Sequence, residues 1–386
     1  MNSNTIINKS YHNNLLIAYN NGDIDQFKIL IDNKAMINCR MDDNRSLISH
    51  VISNPNNNPN NKEFFDLLIS KGADLDDNGT SQGLLSAAVF SQNDIYYARK
   101  LLENNVNVNS CGRYTVPHDH MFNYFHPNGT KPYGPPIFDA LFLGNLDYVN
   151  LFSEYGFDVN ICDHNNKSVI EYFITNCSCR FDKSKSEKIF KMLINYGADL
   201  DMPFSTGTNI LGAIIKSKQY HLLEILFEKY PDVNVNYKNS QGTTPIMNAI
   251  ENHNIHVVKF LIKKGADLNC LDKNDNNPVF LAARYDNMDI FKLLINSGAD
   301  LLCLYKNNNN TILHKLIDFE NKFVSSPYNH VCFNDYYKII IKKHQQLLST
   351  KNKNGQTPID IAKNQKQFLN KFQLKIKNEL KQTKLR

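Results

Sequence analysis

The chain has 386 residues and lacks any run of ~20 apolar residues, the length a helix needs to cross a bilayer. Its first residues also lack the basic-then-apolar pattern of an export signal, so a soluble, intracellular and cytoplasmic protein is expected, in the host cytoplasm if the source is viral. Catalytic signatures are missing too. There is no HExxH and no GxSxG, and the "GTNILG" stretch with Gly207 and Gly212 lacks the Lys-Ser/Thr of a phosphate loop. Cys177 and Cys179, in "NCSCR", are too close for a CxxC redox or zinc pair. The chain has eight cysteines, but Cys39, Cys270 and Cys303 share one phase of a repeated pattern. That placement suits small reduced core side chains rather than a disulfide framework. No cofactor is implied, and a non-enzymatic protein is expected.

A repeated turn is what the sequence does contain. Aliphatic runs end in it at "LLISKGADLD", "MLINYGADLD", "FLIKKGADLN" and "LLINSGADLL". Gly265 and Gly298, in the last two, are separated by about 33 residues. The clearest unit, 242–269, reads "GTTPIMNAIENHNIHVVKFLIKKGADLN". Thr244-Pro245 is a helix-opening pair: Thr can cap first-turn amides, and Pro at the first helical position loses no needed hydrogen bond. Ala249 is small enough to let a neighbouring unit come close. Val257, Val258, Phe260, Leu261 and Ile262 give a second helix its apolar side. Gly265 falls where that helix must stop at positive φ, with Asp267 and Asn269 suited to the turn beyond. At these places, and at this period, the unit resembles the ankyrin repeat.

Other segments fall into the same register. Residues 277–300 keep Pro278, Ala282, Ala283 and the Gly298 turn, and residues 14–38 keep Ala18 and Gly22 with Lys34 at the glycine place. Further units end at Gly72, at Asn105 as a glycine substitute, at Gly156 and at Gly197. In 209–236 the glycine is lost and Tyr230-Pro231 ends the helix, while later units open at 310 and 355. The resemblance implies an all-α repeat, an ankyrin solenoid of roughly nine to ten helix-turn-helix units with hairpin-like tips. The expected layout is a flexible segment at 1–11, the array at 12–365 and a basic amphipathic helix or tail at 366–386. Insertions fall at 110–135 and, smaller, near 53–62, 175–186 and 319–334. Asn makes up about one residue in seven, which reads as compositional drift filling loops. Degenerate, Asn-rich arrays of this kind are similar to those of large DNA viruses and amoebae.

The family's partner surface is its concave side, so the resemblance points to a protein partner and to the tips just past each turn. Asp42, Asp43, Asp76, Asp77, Asp163, His164, Phe204, Tyr237, Lys238, Asp272, Lys273 and Tyr305 occupy those tips. The insertion adds Tyr114, Phe122, Tyr124 and Phe125, which serve either as partner anchors or as packing against neighbouring repeats. It also holds His118, His120, His126 and Cys111, a candidate zinc set opposed by the ordinary abundance of His in solvated loops. The 363–386 stretch has eight Lys or Arg against Glu379 alone, with Phe368, Phe372, Ile376 and Leu380 on one helical face. Such a face caps the last repeat, or else meets membrane, nucleic acid or a partner groove. A monomer binding no small-molecule substrate is expected. One alternative is the substrate-recruiting half of a ubiquitin-ligase adaptor, although the tail looks too short and too basic for an F-box-like segment. The family also implies asparaginyl hydroxylation where Leu precedes a turn Asn by eight residues, as Leu261 precedes Asn269 and Leu226 precedes Asn234.

Overall fold

The computed structural model describes residues 14–31, 37–38, 45–54, 58–76, 83–91, 94–110, 134–305, 308–323 and 334–363. The chain divides into two compact units, residues 1–199 and 200–386. Both are helical, and an isolated bridge joins Cys162 to Ser168.

The first unit holds five helix pairs. Helices at 14–20 and Ile24–Ile31 form the first pair, followed by Leu47–Ser53 with Asn61–Ser70 and by Leu84–Phe90 with Tyr96–Glu103. Pro136–Leu143 pairs with Leu146–Glu154. The last pair opens on Val169–Tyr172, loosens into a π turn at Phe173–Cys177 and a 3-10 turn at Ser178–Arg180, and closes on Lys183–Asn195. The second unit holds Ile210–Lys216 with Leu222–Lys229, Pro245–Glu251 with Ile255–Lys263, and Pro278–Arg284 with Met288–Asn296. Ile312–Phe323 with Asn334–Lys343 follows, and Pro358–Lys363 is a first helix for which no second is described. Nine pairs and one further helix are thus seen among the described residues.

Within each unit the first helices pack on one another in sequence and the second helices lie behind them. Several first helices are short and apolar on every side because they are covered on every side. Leu84 to Val89, Ile210 to Ile215 and Pro278 to Ala283 are buried without a break. The second helices bury one stripe. In Ile255–Lys263 only Val257, Val258 and Leu261 are buried. Phe260 and Ile262, expected on the buried side, are half-buried, and the Phe260 ring meets Phe227 of the preceding pair edge-on at 5.1 Å.

The expected glycine turns are present: Gly72, Gly156, Gly197, Gly265 and Gly298 have φ between 71° and 94°, and Asn105 takes the same conformation at 63°. Each regular unit has two more left-handed positions. His253 and Asp286 sit between the two helices of a pair, with φ of 55° and 53°. Gly242 and Asp275, as far apart in sequence as Gly265 and Gly298, sit in the tip with φ of 73° and 56°. Pro245 and Pro278 stand at first-turn positions as expected, and Tyr230 ends its helix. Thr244 differs from expectation. It occupies the N-cap position, but its side chain caps no amide, and its hydroxyl lies 3.5 Å from the Cys270 thiol of the next turn. Asn277, one repeat on, does cap its helix, accepting the Phe280 amide at 2.8 Å.

The segments 1–11 and 366–386 lie outside the described residues, as does most of the 110–135 insertion.

Candidate functional site

The tips can be built from one recurring side chain. Asp272 opens the 272–276 loop, and its carboxylate accepts the amides of Asn274 and Asn276, both at 2.8 Å. It also accepts the Asn276 side-chain amide at 2.8 Å, while its own amide donates to the Asn276 carbonyl. Asn239 does the same to Gln241 and Thr243, Asp163 to Asn165 and Lys167, and Asn352 to Asn354 and Gln356. An Asx side chain closing its own loop needs no neighbour to hold the turn. Two tips use an aromatic in that place. Phe204 and Tyr305 keep the backbone hydrogen bonds of the loop but are 3% and 1% exposed, and the Tyr305 hydroxyl donates to Asn277 Oδ1 at 3.1 Å.

A second asparagine ties one turn to the next. Asn236 accepts the Asp267 amide at 2.8 Å and donates to the Gly265 carbonyl at 3.2 Å, and Asn269 accepts the Asp300 amide at 2.8 Å. In the first unit Asn38 serves Asp74, Asn109 serves Asp158, and Asn160 serves both Asp199 and the Gly197 carbonyl. Adjacent tips also bond through their backbones, Lys273 to Gln241 at 3.0 Å and Lys353 to Asn308 at 2.9 Å. With the helix caps at Asn145, Asn209, Asn254, Asn277 and Asn287, much of the asparagine excess has a defined structural role.

Two residues of the 312–323 helix bind the tips in the second unit. His314 is fully buried; its Nδ1 faces the Thr311 amide and hydroxyl at 3.1 and 2.8 Å, and Nε2 lies 2.9 Å from the Gln356 carbonyl. Nδ1 therefore accepts and Nε2 donates, which requires the neutral ring. Burial pushes its pKa down. Lys315 reaches back to the carbonyls of Asn274, at 3.0 Å, and Asp275, with its ammonium over the rings of Tyr305 at 4.5 Å and Phe280 at 4.8 Å. Burial lowers its pKa to about 8 against the opposing pull of Asp272 and Asp275.

The sequence-derived tip residues thus separate into two sets. Asp76, His164, Lys238 and Lys273 are exposed, and Tyr237 and Asp272 are half-buried. Asp163, Phe204 and Tyr305 are buried, so their side chains hold tips together instead of facing solvent. Asp42, Asp43, Asp77, Tyr114, Phe122, Tyr124 and Phe125 lie outside the described residues, as do His118, His120, His126 and Cys111. Among the described residues no group of three or more His, Cys, Asp or Glu could hold a metal ion. No described helix is long and apolar enough to cross a membrane. Cys177 and Cys270 are buried free thiols, whereas Cys303 is only half-buried and Cys179 is exposed. The asparagine ladder and Lys315 were missed by sequence reasoning. The ladder did have a signal, since Asn236 and Asn269 recur at the interval of the glycine turns.

Residues 213–304 match the family model of ankyrin repeats, three copies. Two ankyrin repeat proteins of Acanthamoeba polyphaga mimivirus are each 30% identical to the chain over 34% of its length, covering 22% and 16% of their own. An ankyrin repeat protein of Rickettsia felis is 27% identical over 35% of this chain and 42% of its own length. The matches therefore span less than half of each relative. Helix pairs joined by closed tips at one recurring period continue on both sides of the matched stretch, so the likeness to ankyrin repeats extends beyond the matched residues.

Proposed function

We propose that the chain is a non-enzymatic interaction scaffold, which holds a protein partner against its tips and first helices. Ankyrin repeats are in general protein-interaction modules. The observation that carries the reading is that the tips are fixed twice over. Asx side chains close four of the loops from within, and ladder asparagines tie the regular turns to the next. A surface already ordered before binding gives up little conformational entropy on contact, so more of the interaction free energy appears as affinity. Asp76, His164, Lys238 and Lys273 are tip side chains exposed to solvent, and Tyr237 is half-buried.

The test is mass spectrometry of proteins co-purifying with the tagged chain, beside a version lacking residues 111–134. Partners kept by both versions place recognition on the regular tips. A partner lost with the deletion places it on the insertion, and an empty eluate from both overturns the scaffold reading.

A further inference from the structure

Two of the five large apolar side chains exposed among the described residues, Leu302 at 41% and Leu304 at 45%, stand in a single tip of the second unit. Register explains the first of them. Position 302 follows Asn269 by one period, as Asn269 follows Asn236, and both asparagines hold an aspartate amide of the next turn. The pair after position 302 has no Gly-Ala-Asp turn; its second helix ends at Lys343 and runs through His344 into the 3-10 turn Gln345–Leu348. With no such turn to tie, the ladder residue is replaced by leucine. Leu304 repeats Leu271 and Lys238 at the same period.

The tips of the same unit carry exposed lysines. Lys238, Lys273 and Lys351 are exposed, and among the described residues none of the three forms an ion pair. Bonds between tips tie neighbouring tips to one another. Lys238 Nζ donates to the Leu271 carbonyl at 3.3 Å, the Lys273 amide to Gln241, and the Lys353 amide to Asn308. Asp272 is turned inward by its three loop hydrogen bonds, and Asp300, exposed beside Leu302, spends a carboxylate oxygen on the Leu302 amide at 2.8 Å.

Deepening the scaffold reading and resting on it, we infer that this edge takes an acidic peptide segment carrying apolar residues. The apolar residues cover Leu302 and Leu304, and the carboxylates meet Lys238, Lys273 and Lys351. An apolar anchor ringed by charge is the usual composition of a protein contact. A nucleic-acid strand supplies the charge but nothing aliphatic to cover the leucines. Surfaces that bind single strands present aromatic faces for stacking, and the tip aromatic here, Tyr305, is buried.

The test is fluorescence anisotropy of the full chain with three labelled probes: a peptide of about 12 alternating Glu and Leu residues, its Lys-Leu counterpart, and an oligothymidine strand. The Glu-Leu peptide should bind at least about tenfold tighter than either other probe and weaken with added salt. The triple variant K238E/K273E/K351E and the double variant L302N/L304N should each lose about tenfold, with circular dichroism unchanged. Equal binding of the two peptides, stronger binding of the oligonucleotide, or indifference to either variant overturns the inference. If the peptide fails to bind while co-purification still returns a partner, the edge assignment falls and the scaffold reading stands.

Discussion

Asn269 Oδ1 accepts the backbone amide of Asp300 at 2.8 Å, across the junction between two helix pairs. The same bond joins Asn236 to Asp267 one repeat earlier. Asn269→Ala should therefore lower the unfolding free energy by about 1 kcal/mol, the usual net worth of one such bond, read as a drop in urea midpoint. Leu302→Asn has no Gly-Ala-Asp turn to tie, so an equal gain from it would argue against the ladder.

Gly265 and Gly242 should respond differently to alanine. Both have positive φ, 86° and 73°, but a Cβ at Gly265 meets nothing within 4 Å. At Gly242 it would lie 3.1 Å from the Asp272 Cα and the Lys273 nitrogen. Gly265→Ala should cost only the backbone penalty, about 1–2 kcal/mol. Gly242→Ala should cost about 1–3 kcal/mol more, because it also pushes the two tips apart. Denaturation midpoints of the two variants decide it.

His314 makes stability fall in acid. Its folded pKa lies below the ordinary 6.5, so the unfolded chain binds the proton more readily. Its contribution is complete above pH 6.5 and is lost as pH falls from there through the folded value. Urea unfolding should show a larger loss from pH 7.5 to 5.5 in the wild type than in His314→Ala, which starts weaker. Equal slopes would remove the neutral-ring assignment.

Lys315 acts at the other end of the scale. Its folded pKa of about 8 lies below the ordinary 10.5, so the folded state resists the charge. The resulting penalty is fully present below pH 8 and is relieved as pH rises toward 10.5. The stability of the wild type relative to Lys315→Met should therefore rise over that window. A flat difference would show that the ammonium is better solvated than its place over Tyr305 and Phe280 indicates.

Cys179 should react with iodoacetamide in the native protein, while Cys177 and Cys270 should not. The first is exposed, whereas burial pushes both other thiols upward in pKa. Peptide mapping of the alkylated chain reads the result.

The period and the helix pairs were legible because they rest on composition at fixed places: Gly265 and Gly298 where φ is positive, Pro245 and Pro278 where helices open. The other two left-handed positions of each unit were not, because His253, Asp286 and Asp275 are no more diagnostic in sequence than any polar loop residue. Tip chemistry was half legible. Lys238 and Lys273 are exposed where expected, but Tyr305 and Phe204 were read as surface aromatics by position alone. Tyr305 turns inward to Asn277 and lies under the Lys315 ammonium, contacts with distant residues that position in the repeat does not reveal. Thr244 shows the same limit: its sequence context marks a cap, while a thiol 26 residues on takes its hydroxyl.

Because Asp272 and Asn239 close their loops without help, the side chains beside them, Ser240, Gln241, Lys273 and Asn274, make no side-chain hydrogen bond among the described residues. Replacements there leave the turn standing. Heritable change can thus rewrite the outer edge one codon at a time, whereas a change at the closing residue itself is screened first by folding. Tolerance to substitution in these tips is thus set by which side of one Asx side chain a residue stands.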